Sequence, residues 1–239
     1  MKHAIATIGL AASLLCYGSV TTQAQETNGQ YSVHALGVKV GDMALVGSVT
    51  PNKYAVSSQF VTSGLVATVA GVRFLLSSSG ARKGAVFSPR RYEEDMDTGR
   101  RQSRVKLRWS GGVAKASGSE IGDPGPYAVT AAQQRGAVDP LTAMFMAIRD
   151  QSPAEVCKLQ QKIYDGERLT QITLTNRRDQ GGRVICSGTF RRVAGYSPED
   201  LRERGQFGLT VTYEPAGELL RAIRVEADTI YGKARIQRK

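Results

Sequence analysis

The chain has 239 residues, with 32 Lys plus Arg against 21 Asp plus Glu, a formal net charge of +11, and only 7% aromatic side chains. Aromatics this sparse argue against a base-stacking surface for nucleic acid. Past the first residues no run is long and apolar enough to span a bilayer. The cation excess instead favours anionic partners, which outside the inner membrane means phospholipid, glycolipid or cell-wall polymer.

Residues 1–24 read as a cleavable leader. Met1, Lys2 and His3 open it, residues 4–20 are apolar, and Thr22 and Ala24 supply the small residues of a cleavage site. Gly9, Ser13, Cys16 and Gly18 dilute the apolar stretch below what a membrane anchor needs. The expected mature protein is residues 25–239, one β-rich domain, exported to the periplasm.

The rest reads as strands. Residues 31–40, 43–49 and 54–61 alternate apolar with polar, and the turns between them are expected at Gly41–Asp42 and Pro51–Asn52. Residues 64–72 fit a short helix or a buried strand equally well. Strands are next expected over 73–79, 83–87 and 89–94, with a turn at Gly80. In residues 101–110, Val105, Leu107 and Trp109 alternate with Arg104, Lys106 and Arg108, so one face is apolar and the other cationic. Residues 111–136, rich in Gly, Ser, Pro and Ala, read as a long loop or flap.

One helix is clearly marked. Asp139 can cap it, Pro140 suits its first position, and Leu141, Met144, Phe145 and Ile148 share a face. It is expected to end near Asp150 and to plug the core of a curved sheet. Strands return over 156–164, 168–175, 183–193, 207–213, 219–227 and 230–236. Asp165–Gly166 and Gln180-Gly181-Gly182 mark hairpin turns, and Ser197 with Asp200 marks a helical turn over 197–204. So many strands around one helix predict an antiparallel meander curled into an incomplete barrel or β-spiral, because curling disposes of exposed edges.

The residues for chemistry are sparse. Past the leader the chain has one histidine, His34, and no nucleophile elbow or phosphate loop. Two cysteines and a distant histidine do not make a zinc spacing, so neither metal nor cofactor is expected. Glu93, Glu94, Asp95 and Asp97 lie beside Arg90, Arg91, Arg100 and Arg101 and read as a self-neutralising strand edge. Cys157 and Cys186 are the only cysteines past the leader, and an even pair in an oxidising compartment is expected to bond.

The order of landmarks is similar to a known family. It runs through Tyr31-Ser32-Val33, Gly37, Gly41, Ser88-Pro89-Arg90-Arg91-Tyr92, Asp139-Pro140-Leu141-Thr142, Cys157, Tyr164-Asp165-Gly166, Cys186 and Gly195-Tyr196. This resembles a proteobacterial family of exported proteins catalogued as a domain of unknown function, number three-one-zero-eight. The family is similar to periplasmic envelope-integrity β-spiral proteins and, more remotely, to lipoprotein-carrier half-barrels. The resemblance implies periplasmic residence and a curved β architecture, and it brings no catalytic residues. Glu167 departs from the basic residue expected after the Asp165–Gly166 turn.

Two functions follow as expectations. In the first, a non-enzymatic envelope protein meets anionic lipid, glycolipid or cell-wall polymer through Arg104, Lys106 and Arg108. In the second, a carrier shelters a lipid or lipidated peptide in a cleft between sheet and helix, with Phe145 lining it.

Overall fold

The computed structural model describes residues 24–119 and 121–239. The expected leader lies outside the described residues except for Ala24, and the first strand starts at the next residue. Seven strands come first: β1 (Gln25–Ala35), β2 (Val38–Val49), β3 (Lys53–Thr62), β4 (Arg73–Lys83), β5 (Val86–Asp97), β6 (Gln102–Ser110) and β7 (Val113–Gly118). Helix α1 (Leu65–Val69) joins β3 to β4. Helix α2 (Ala131–Gln134), the short β8 (Ala137–Val138) and helix α3 (Pro140–Ile148) follow. The second half contains β9 (Leu159–Tyr164), β10 (Leu169–Gln180) and β11 (Arg183–Ala194), then helix α4 (Pro198–Arg204). It ends with β12 (Gln206–Ala216), β13 (Leu219–Thr229) and β14 (Gly232–Arg238).

All these strands belong to one sheet, in the order β7-β6-β5-β4-β3-β2-β1-β14-β13-β12-β11-β10-β9-β8. Only the terminal β8–β9 pair is parallel. The first and last strands therefore meet in the middle of the sheet, with Tyr31 opposite Arg238. Its free edges are β7 and β8, so the barrel is incomplete. Buried Gln134 spans part of the gap, its Oε1 accepting from Ala114 N at 2.9 Å.

Two glycines overturn two expected turns. The first hairpin turns at Leu36–Gly37, both at positive φ (52° and 83°), and not at Gly41–Asp42. Gly41 sits inside β2, where a Cβ would come within 2.4 Å of Val61 O and 2.5 Å of the Phe60 ring. Gly80 likewise lies inside β4, at a bulge, where a Cβ would meet Ser88 O at 2.2 Å. The turn falls at Gly84 (φ 60°), after Lys83 has ended β4, and the remainder of the two expected strands 83–87 and 89–94 runs as the single β5 from Val86. The ambiguous segment 64–72 contains helix α1, and the expected loop 111–136 contains β7 and α2.

Helix α3 lies inside the curl, buried over most of its circumference. Leu141, Thr142, Ala143, Phe145, Ala147 and Ile148 are all buried. Asp139, 0% exposed, is its N-cap: Oδ1 accepts from Thr142 N at 2.8 Å, and Oδ2 accepts from Thr142 Oγ1 at 2.6 Å and Ser78 Oγ at 2.8 Å. Tyr54 on β3 completes the cluster, its hydroxyl 2.8 Å from Thr142 Oγ1. The first turn of the helix is thus bonded to β3 and β4. At the other end, Tyr213 on β12 donates to Ala147 O at 2.5 Å. Asp150 receives the Arg221 guanidinium at 2.8 and 3.1 Å.

Cys157 and Cys186 are bonded. The bridge ties the segment after α3 to the buried middle of β11. Replacing both with serine is expected to cost about 2–5 kcal/mol in urea unfolding, and the unreduced, denatured protein should expose no free thiol from this pair. Two labelled thiols would contradict it.

Burial is the main influence on Asp139, and it raises the carboxyl pKa above its ordinary 3.8. The folded state therefore holds the proton more tightly than the unfolded chain does. The resulting contribution is full below about pH 4 and declines as pH rises through the folded pKa. Asp139→Asn keeps a capping acceptor and removes the titration. Wild-type stability measured against this variant should fall with rising pH, and a difference that rises would contradict the account.

Candidate functional site

The two faces of α3 meet different surroundings. Phe145 points toward the N-terminal half of the sheet, where its ring packs edge-on against Phe87 on β5 with centroids 6.4 Å apart. Gly47 on β2 makes room for it, since a Cβ there would lie 2.5 Å from the ring. The opposite stripe, Pro140, Ala143, Met144, Ala147 and Ile148, faces the C-terminal half. Alanines at 143 and 147 offer this side only methyl groups. The result is a cleft of about 450 Å³, within the range of about 300–1,000 Å³ usual for small-molecule sites.

The cleft walls come from inward-facing strand residues: Ile163 on β9, Ile172 on β10, Phe190 on β11, Leu209 on β12, Val225 on β13 and Ile236 on β14. Its polar lining is confined to Arg168, Arg192, Tyr196, Asp228 and Thr229, at strand ends and in turns. Arg168, immediately before β10, is exposed, as is Ile230, so these mark the mouth. Phe145 does not line the cleft. Its ring lies on the Phe87 side of the helix, whereas the expectation had set it along the cleft.

At the mouth two guanidinium groups share one ring. Arg192 lies 4.9 Å and Arg168 5.3 Å from the Tyr196 centroid. Gly195 (φ 85°) makes this possible, because a Cβ there would come within 2.6 Å of Glu167 O and 2.8 Å of Arg168 Cα. Burial raises the Tyr196 pKa, against the lowering effect of the two cations, so the phenol stays neutral.

Arg104, Lys106 and Arg108 stand exposed on the outer face of β6, with Val105 and Leu107 turned inward. The register adds what the sequence did not reveal: Lys106 is opposite Glu93 and Arg104 is opposite Asp95 on β5. Arg104 pairs with Asp95 at 3.2 Å and Arg108 with Glu93 at 2.7 Å. Glu93 and Asp95 of the acidic cluster are thus neutralised across the sheet by β6, and Asp95 also by Arg73 at 3.7 Å. Such exposed pairs contribute about 0–1 kcal/mol each.

His34 lies opposite Lys39 and Arg235, and its Nδ1 has no hydrogen-bond partner among the described residues. Among the described residues no group of three or more His, Cys, Asp or Glu could hold a metal ion. No helix there is long and apolar enough to cross a membrane.

The fold and cleft define a class: an incomplete β-barrel with one internal helix and an apolar cleft on one side of it. The chain belongs to the family described as "Protein of unknown function (DUF3108)", which matches residues 30–234. No curated protein matches it. Among solved structures it is similar to a beta-barrel-like protein of domain of unknown function DUF1849 from Brucella abortus. That likeness has 10% identity and a TM-score of 0.42, and it covers 90% of this chain and 94% of the other.

Proposed function

We propose that the protein is a non-enzymatic periplasmic carrier that holds the acyl chain of a lipid or lipidated molecule in the cleft between α3 and strands β9–β14. The observation that carries this reading is the apolar cleft beside Ala143 and Ala147. Burying a methylene group is worth about 0.8 kcal/mol, so a chain threaded along such walls gains affinity with each carbon enclosed. A leader read from residues 1–24 and the Cys157–Cys186 bond support an exported setting.

The alternative, in which Arg104, Lys106 and Arg108 hold anionic envelope components, has less support. A ligand there would compete with Glu93 and Asp95, which already occupy Arg108 and Arg104.

The test is fluorescence titration with a pyrene-labelled monoacylglycerol, which is uncharged. Wild type should bind it saturably, and Met144→Glu should weaken binding by about tenfold or more, because the new carboxylate must be desolvated in the cleft. Replacing Arg104, Lys106 and Arg108 together with alanine should leave binding unchanged. Phe145→Asp is unsuitable as a cleft variant, since it places an unpaired charge in the packed core and should abolish the cooperative melting transition. Absence of saturable binding by wild type, or full binding by folded Met144→Glu, would reject the carrier.

A further inference from the structure

The interior and its rim contain two arginine pairs stacked on aromatic rings, and among the described residues only one pair is joined by a carboxylate in direct ion pairs. Arg82 and Arg149 lie 5.7 and 5.8 Å from the Phe87 centroid. Between them Glu155 takes Arg82 at 3.4 Å on Oε1 and Arg149 at 3.3 Å on Oε2. Two like charges on one ring are thus held by a carboxylate that bridges them.

Arg168 and Arg192 repeat the arrangement on Tyr196 without the carboxylate. Among the described residues neither guanidinium forms an ion pair. Asp165 and Asp200 act electrostatically on Tyr196, and Asp200 also feels both guanidinium groups, but neither carboxylate is in direct ion-pair contact with them. Asp165 Oδ1 accepts from the backbone N–H groups of Glu167 and Arg168, at 3.0 and 2.7 Å, and shapes the turn. Asp200 Oδ2 accepts from Ser197 N at 3.2 Å and Ser197 Oγ at 2.8 Å, completing the cap of α4. Asp228, the cleft's own carboxylate, is 3.9 Å from Lys233. Arg192 gives one N–H to Asp200 O at 3.0 Å and packs its guanidinium 5.8 Å from the Phe207 centroid. That bond still leaves most of its five donors unused, and the Arg168 side chain makes no hydrogen bond among the described residues.

Holding two cations together over a half-buried ring costs Coulomb energy unless an anion joins them. Guanidinium groups match phosphate and carboxylate oxygens in bidentate geometry. Both residues also line the apolar cleft, so an anion bound there would be continuous with a chain inside it. We infer that Arg168 and Arg192, braced on Tyr196, form the headgroup site of the cleft and select amphiphiles bearing a phosphate or carboxylate next to the acyl chain. This deepens the carrier reading and rests on it.

The experiment compares two ligands with the same pyrene-labelled chain: the uncharged monoacylglycerol and the corresponding lysophosphatidic acid. Wild type is expected to prefer the phosphate form by about tenfold or more, with the preference shrinking as salt is added. Arg168→Gln combined with Arg192→Gln should remove that preference, bringing the phosphate form to the affinity of the monoacylglycerol, while a cooperative melting transition reports that the variant is folded. The single Arg168→Gln variant, at the more exposed position, should lose part of it. The triple alanine variant of Arg104, Lys106 and Arg108 should keep it in full. Inorganic phosphate alone should neither bind at the same concentration nor displace the neutral ligand.

Equal binding of the two ligands by wild type, or a preference that survives in the double variant, would overturn the headgroup assignment while leaving the carrier standing. Loss of preference in the triple variant would place recognition on β6 and overturn it as well. Saturation by phosphate alone would reassign the pair to a free anion. If neither pyrene ligand binds wild type, the carrier reading fails and the headgroup site fails with it.

Discussion

Helix α3 can sit inside the sheet only because Asp139 satisfies it there. A helix start leaves N–H groups without intrahelical partners, and a buried start has no water to supply them. Asp139 accepts from Thr142 N and from the hydroxyls of Thr142 and Ser78, while Tyr54 reaches Thr142 from the next strand. Among the described residues no cation pairs with this carboxyl group, so the cost of burying it is offset by converging donors. Two of those donors belong to Thr142 in the helix itself; Ser78 on β4 and, through Thr142, Tyr54 on β3 tie the cap to the N-terminal half of the sheet.

The packed half and the open half follow from that anchoring. Toward β2 and β5 the helix presents Leu141 and Phe145, and Gly47 yields the space the ring needs. Toward β9–β14 it presents Ala143 and Ala147, whose methyl groups leave the cleft between helix and strands unfilled. Tyr213 and Asp150 secure the far end through Ala147 O and Arg221, so the helix cannot simply shift across to close the gap. The cleft is a consequence of where the helix is bonded and of two short side chains.

Much of this was legible from local chemistry. Asp139–Pro140 marked the helix start, Ser197 with Asp200 marked the cap of α4, and Gly181–Gly182 marked the β10–β11 turn, where both residues are at positive φ. Alternation over residues 101–110 placed Val105 and Leu107 inward correctly. What could not be read was information carried by partners distant in sequence. Gly41 and Gly80 look like turn residues, yet they are needed inside strands because Val61 O and Ser88 O come so close. The cations of β6 look free until the register sets Glu93 and Asp95 against them. Phe145 was the conspicuous apolar residue on the helix, whereas the cleft depends on the small ones at 143 and 147. Arg168 and Arg192 carried no motif, and Gly195–Tyr196, which brings them together, was visible only as a landmark of the family.

The central claim is that an acyl chain occupies the space beside Ala143 and Ala147 and not a surface elsewhere. The most direct measurement is methyl NMR on protein with labelled methionine and isoleucine methyl groups, titrated with a long-chain monoacylglycerol. The account predicts intermolecular NOEs from the acyl methylenes to Met144, Ile163, Ile172 and Ile236, with Met43 in the packed half silent. NOEs confined to other methyl groups, or none at a ligand concentration that saturates the protein, would contradict it.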